Sequence, residues 1–316
     1  MNHKVKTWIL AALAFILIFL FLFTGLTGSW EYILTRRALK VSAIVVTGAA
    51  IAFSTIVFQT ITQNRILTPS ILGLDSLYLL INTVIIFLFG SKTLTTTDRN
   101  VQFLLIVLIM VFFAFLLFKL LFRRNDQNIY FLLLIGFIIG TFFESFSTFM
   151  QVLIDPNEFQ IVQDRMFASF NNINTDVLVL AVILLVLVSL YFFRYMKYLD
   201  VLSLGRDTAI NLGVDFDYVV KRLLIVVAIL ISIATALVGP ITFLGLLVAN
   251  LTYEFLKTYK HHYLIIGSIL ISVIALVGGQ LLVERVFTFS TTLSVIINFL
   301  GGIYFIYLLL KENKSW

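Results

Sequence analysis

The sequence predicts an all-α polytopic membrane protein of about ten transmembrane helices. Three observations carry that expectation. First, 61% of the 316 residues are hydrophobic and only 12% are charged, against roughly 25% charged in an ordinary soluble domain. So little polar surface cannot cover a globule in water, and lipid must cover the remainder. Second, the apolar stretches are long and continuous, whereas a transmembrane barrel would show short alternating segments. Third, the lysines and arginines interrupt these stretches and concentrate on every second connection, as in helical membrane proteins.

Taken in order, His3, Lys4 and Lys6 precede an apolar run from Trp8 to Phe23. A small-residue cleavage site is missing, and Thr24-Gly-Leu-Thr-Gly28 leads into more apolar chain. This reads as an uncleaved first span and not as a signal peptide. The following spans are expected near 39–62, 70–90, 100–121, 129–153, 175–196, 217–238, 241–256, 262–284 and 293–311, each needing about 20 residues at about 1.5 Å per residue. The stretch 241–256 is short and directly follows Gly239-Pro240, so a broken or partial span is expected there. With the amino terminus inside, fifteen basic residues, Arg65, Lys119, Arg123, Arg124 and Lys314 among them, fall on the cytoplasmic side. Seven fall outside: Arg36, Arg37, Lys40, Lys92, Arg99, Arg165 and Arg285. This charge bias puts both termini in the cytoplasm of a cell-membrane protein. The outer connection 154–174 carries Phe159, Ile161, Met166, Phe167 and Phe170, and a helix lying on the outer surface is expected. No linker divides the chain, so residues 1–316 read as one membrane domain.

The segment 199–214 departs from its apolar surroundings. Asp207 or Thr208 can cap a short helix, Ala209 to Leu212 continue it, and Gly213 stands where a helix stops. Ala209 and Leu212, three apart, are expected on one face. A short helix at the cytoplasmic surface suits docking to another protein; the bland alternative is an amphipathic connector among lipid headgroups. Elsewhere, Pro69-x3-Gly73 and Pro240-x4-Gly245 each follow a span. The two surrounding helix sets run in opposite directions, the pattern of an inverted-repeat transporter.

Catalytic chemistry finds little support. Cysteine is absent, and His3, His261 and His262 all lie at cytoplasmic ends, so no metal site is expected. There is no phosphate-binding loop, since Gly90-Ser-Lys-Thr93 lacks the first glycine. Energy for transport must therefore come from a partner or a gradient. Glu144 is the one carboxylate deep within a span, a costly position in lipid. It is either a coupling or cavity group, or a carboxyl satisfied by Ser145, Ser147 or a facing helix. Asp75 reads as a helix-end group.

The segment "LDVLSLGRDTAINLGV" (199–214) resembles the cytosolic loop "LNxLALGExxAxxLGV" of the FecCD family of ABC importer permeases. "GPITFLGLLVAN" (239–250) is similar to that family's "GPIGFVGLxxPH", and "QTITQNRILTPSILG" (59–73) to its "QxxxxNPLAxPxxLG". The ending "LGGIYFIYLLLK" (300–311) resembles "xGAPxFxxLLxK". These four blocks run in the family's order over nearly the whole chain. Two departures stand out: Ala249-Asn250 replace Pro-His, and Ser290-Thr-Thr-Leu-Ser294 stands where the family has "ELPVG".

The resemblance implies a permease of a binding-protein-dependent ABC importer for iron–siderophores or related chelates, with an inverted-repeat fold. It implies that Leu204, Gly205, Arg206, Asp207, Thr208, Ala209, Leu212 and Gly213, on a coupling helix at about 203–213, meet a cytosolic ATPase dimer. ATP and Mg²⁺ would belong to that dimer, this chain binding no cofactor. Gly239, Pro240, Phe243, Gly245 and Asn250, with Glu144, are the implied translocation and gating group. Arg37 matches the last arginine of the family's "RLPR" motif, with Arg36 in place of its proline. Arg36, Arg37 and Arg285 are thereby implied to meet carboxylates of an extracellular binding protein. A second permease subunit, identical or homologous, completes the implied assembly, and nucleic acid has no place in it. The rivals are an ion-coupled secondary transporter using Glu144 and a non-transporting membrane scaffold.

Overall fold

The structure, a computed structural model, describes residues 3–25, 29–90, 97–121, 129–289 and 291–312. Lys92, Arg123, Arg124, Ser290 and Lys314 lie outside the described residues, as does the Lys311 side chain.

Thirteen α-helices and one 3-10 turn are present among the described residues. In chain order they are α1 (His3–Phe23), α2 (Trp30–Thr62), the 3-10 turn (Pro69–Leu72), α3 (Leu74–Phe89), α4 (Arg99–Leu121), α5 (Ile129–Leu153) and α6 (Pro156–Met166). There follow α7 (Thr175–Phe193), α8 (Met196–Leu202), α9 (Arg206–Asn211), α10 (Phe216–Val238), α11 (Leu244–Leu256), α12 (His261–Arg285) and α13 (Leu293–Glu312). Among the described residues, seven helices are long and apolar enough to cross a membrane, and α3, α11 and the apolar part of α13 are shorter. The protein is therefore a multi-pass membrane protein, and all ten expected apolar segments are helical.

Two boundaries differ from expectation in an instructive way. The second helix begins at Trp30, not near 39, because the polar residues Glu31, Thr35, Arg36 and Arg37 include no helix breaker. Arg36 and Arg37 thus sit on a helix that continues past the lipid. The expected third span is split: Pro69 opens the 3-10 turn, and Gly73 at φ +78° ends it before α3 starts.

The helix contacts repeat in two halves. In the first half, α2 packs on α10, α11 and α12, while α3 packs on α5; in the second, α10 packs on α2, α3 and α4, while α11 packs on α13. Likewise α1 meets α12 and α2, as α7 meets α4 and α10. The correspondence pairs α3 with α11, both short, each preceded by a proline-containing re-entrant segment. About 24 Å and 20 Å long at about 1.5 Å per residue, they start partway through the bundle. Gly73 lies against Gly140, near the middle of α5, and Phe243 lies against Gly301, near the middle of α13. Burial follows the same plan: α2, α10 and α12 form the core, whereas α1, α5 and α7 are mostly exposed along their length.

Candidate functional site

Three regions carry the residues of interest: a helical hairpin at one end of the bundle, a junction at half depth, and a rim at the other end.

The hairpin is made of α8 and α9. Gly205 is the N-cap of α9, at φ +104°, and no side chain caps it. The expected caps Asp207 and Thr208 instead lie inside the helix, where Asp207 in the first turn still favours the helix dipole. At the other end, the Val214 N–H donates to the Ala209 carbonyl at 3.0 Å and the Gly213 N–H to that of Ile210 at 2.9 Å. This is the paired-bond stop that needs a left-handed residue, and Gly213 supplies it at φ +81°. Asp215 then caps α10 by accepting from the Tyr218 N–H.

Ala209 and Leu212 do not share a face. Ala209 is 0% exposed and packs within its own chain, whereas Leu204, Ile210 and Leu212 are 59%, 47% and 60% exposed. The apolar tip is therefore Leu204, Ile210 and Leu212, with Arg206, Asp207 and Thr208 exposed around it. Ile210 escaped the sequence reading because a six-residue helix is too short to show periodicity. Arg206 leans toward Asp217 at 3.7 Å and toward the Phe216 ring. Beside the hairpin lies a cleft of about 330 Å³ lined by Arg194, Tyr195, Gly213 and Tyr218. There the hydrogen bond with Tyr191 is the largest of the influences that push the Tyr195 phenol up.

At half depth the two re-entrant segments meet. Asp75, in the first turn of α3, accepts from Thr235 Oγ1 at the end of α10 and from Thr242 Oγ1 just before α11, each at 3.4 Å. One carboxylate thus lies between the positive ends of both short helices. Sequence reading treated it as a helix-end group because its partners are more than 150 residues away. Gly239 adopts φ +102° with Ala168 packed over it, and the Ser169 N–H donates to the Val238 carbonyl. Pro240 is buried. The Phe243 N–H donates to Asn298 at 3.4 Å, and Gly245 presses α11 onto Thr55 of α2.

Asn250, standing in place of the resembled histidine, donates to the Arg65 carbonyl at 2.9 Å, and Gln59 donates to the same oxygen at 2.6 Å. It ties α11 to the loop ahead of Pro69. Gly239 to Asn250 thus run along α11 and its lead-in, with Gly239, Phe243, Gly245 and Asn250 each seated against a different neighbour. Glu144 is not part of this group: it sits one turn beyond Gly140 with its side chain exposed. Of the three partners weighed for it, Ser147 is engaged elsewhere, its hydroxyl bonding to Thr83 at 2.8 Å and accepting from Gln151 at 3.0 Å.

At the opposite rim, Arg37 Nη1 donates to the carbonyls of Phe21, Leu22 and Thr24. Arg285 donates to Thr24 at 2.5 Å. Both arginines therefore cap the end of α1. Arg36 and Arg285 are exposed and Arg37 is half-buried; Arg36 is held over the Tyr32 ring with its Nε donating to that hydroxyl. Below them, Lys40 and Glu284 form a mostly buried pair at 2.9 Å.

Comparison with known proteins gives a consistent picture. The petrobactin import system permease protein YclO of Bacillus subtilis is 66% identical over 316 residues, covering 100% of both chains. The petrobactin import system permease protein FatC of Bacillus anthracis is 38% identical over 281 residues, 89% of this chain and 79% of that one. A solved structure described as an inward-facing conformation of a metal-chelate type ABC transporter superposes with a TM-score of 0.81, at 21% identity, over 98% of this chain and 100% of that one. The FecCD transport family matches residues 12–311, and this chain belongs to that family.

Proposed function

We propose that this chain is the permease subunit of a binding-protein-dependent ABC importer for iron–siderophore complexes, with ferric petrobactin as cargo. The observation that carries the permease reading is the α8–α9 hairpin, an apolar tip projecting from a membrane bundle. The cargo rests on the full-length likeness to a petrobactin import permease. A cytosolic ATPase dimer receives the tip, a second permease subunit completes the passage, and an extracellular siderophore-binding protein sits on the rim of Arg36. Both termini lie in the cytoplasm. Nucleotide-driven movement of the hairpin tilts the bundle and opens the passage alternately to each side, with the junction of α3 and α11 as the hinge region.

Uptake in proteoliposomes distinguishes this from ion-coupled transport through Glu144. Ferric petrobactin should accumulate only when ATP, the ATPase and the binding protein are all present. Accumulation driven by a pH step in vesicles holding this chain alone would overturn the proposal.

The rim gives a second expected result. Arg36→Glu should weaken capture of the binding protein roughly tenfold at low salt, mainly through the association rate. Arg37→Glu is the wrong test, because it removes the cap of α1 and so damages the fold itself. Unchanged capture by the Arg36→Glu complex at low ionic strength, where screening is weakest, would remove Arg36 from the docking surface.

A further inference from the structure

We propose that Asp200 and His261 form the tie through which movement of the α8–α9 hairpin reaches the transmembrane helices, making both positioning residues for coupled transport. This rests on the reading of the hairpin as the ATPase contact.

The hairpin is gripped at two helix ends. Gln63, the left-handed C-cap residue of α2, donates to the Leu202 carbonyl at 3.2 Å. Asp200 of α8 makes the stronger attachment. Its Oδ1 accepts from the His261 backbone N–H at 3.0 Å and from the ring Nδ1 at 2.6 Å. His261 is the first residue of α12, so a carboxylate from another element caps that helix and faces its positive end. The ring's Nε2 lies 2.8 Å from Thr60 Oγ1 of α2. The imidazole is buried and held on both nitrogens, while the Asp200 side chain remains 50% exposed. One ring thus joins α8, α12 and α2.

What lies beyond the ring makes it a transmitting contact. Helix α12 meets α11 so closely that a Cβ on Gly267 would fall 2.5 Å from Leu256 Cδ1. It meets α2 as closely, Gly48 facing Ser272. Densely packed helices slide as units and do not deform locally. A push on α8 is therefore delivered to the end of α12 and carried to α11, whose other end is the half-depth junction with Asp75.

The test uses the complete importer in proteoliposomes, with ferric petrobactin on its binding protein. Asp200→Ala and His261→Ala should each keep ATPase recruitment and basal ATP hydrolysis. Each should lower the cargo moved per ATP by about fivefold or more. The double variant should lose less than the two singles combined, since both remove the carboxylate–imidazole contact. Asp200→Asn, which keeps an acceptor oxygen, should recover at least half of the ratio. Cargo and hydrolysis falling in proportion, an unchanged ratio, or additive effects would each overturn the proposal. Should His261→Ala fail to assemble, the half-exposed Asp200 still permits the measurement through Asp200→Ala and Asp200→Asn. Failure of the underlying docking reading would show separately, as a Leu212→Arg complex that still recruits the ATPase.

Discussion

Replacing Leu212 by arginine should reduce binding-protein-stimulated ATP hydrolysis by the reconstituted importer by about 100-fold, the loss of one buried apolar anchor worth about 2.7 kcal/mol. Leu212 closes α9 immediately before Gly213, is 60% exposed, and stands with Leu204 and Ile210 at the tip of the hairpin. A groove that covers these three side chains strips them of water, and a guanidinium in the same place would be buried without a partner. Insertion should be untouched, because the segment lies between spans and the side chain points away from the chain. Ala209→Arg should fail differently. Ala209 is fully buried within the chain itself, so that variant should lower the yield of folded protein before docking is reached. The two outcomes separate in a pull-down of the ATPase scored against membrane abundance. Normal stimulation of the Leu212→Arg complex would reduce the hairpin to a surface connector.

Gly73→Ala should cost about 3 kcal/mol of fold stability, from about 1–2 kcal/mol for a left-handed backbone and a comparable overpacking cost. Gly73 has φ +78°, and an added Cβ would fall 2.8 Å from the Gly140 Cα of α5. Backbone cannot yield there as the end of a side chain could. Against a total stability of about 5–15 kcal/mol, such a loss should show as a clearly lowered unfolding midpoint in detergent and reduced yield. Two glycines calibrate the result. Gly213 shares a positive φ, +81°, but has nothing within 4 Å, so Gly213→Ala should pay only the backbone part. Gly278 lies in α12 with open space around it, and there alanine should be neutral or slightly stabilising. Equal midpoints for Gly73→Ala and Gly213→Ala would mean that the turn does not seat against α5.

Much of the local chemistry was legible in the residue types, although Gly205 and not Asp207 or Thr208 opens α9. Gly213 stops its helix because a short polar helix needs a left-handed residue at its end, and the residue type announces this. Gly239-Pro240 breaks the chain for the same kind of reason, and the shortened α11 follows. Asp155 and Pro156 open α6, with Asp155 accepting from the Asn157 N–H at 2.9 Å. The start of α2 was placed too late because hydropathy marks where lipid ends, and a helix can run on into water.

The sequence by itself determined the class, the ten apolar segments, the place of the polar hairpin and, through four motif blocks, the family. Each of these depends on composition, on hydropathy over one segment, or on a run of neighbouring residues. Only the tertiary structure decided which side chain of the hairpin faces out, since Ala209 and Leu212 differ by how a six-residue helix packs against α8 and α10. It likewise showed Arg37 and Arg285 donating to the carbonyls at the end of α1, whereas Arg36 leans on Tyr32 of its own helix. Asp75 meets Thr235 and Thr242, and Asp200 meets His261, across 160, 167 and 61 residues. Such pairs leave no trace in spacing, because a buried polar group is satisfied by whatever the fold brings beside it.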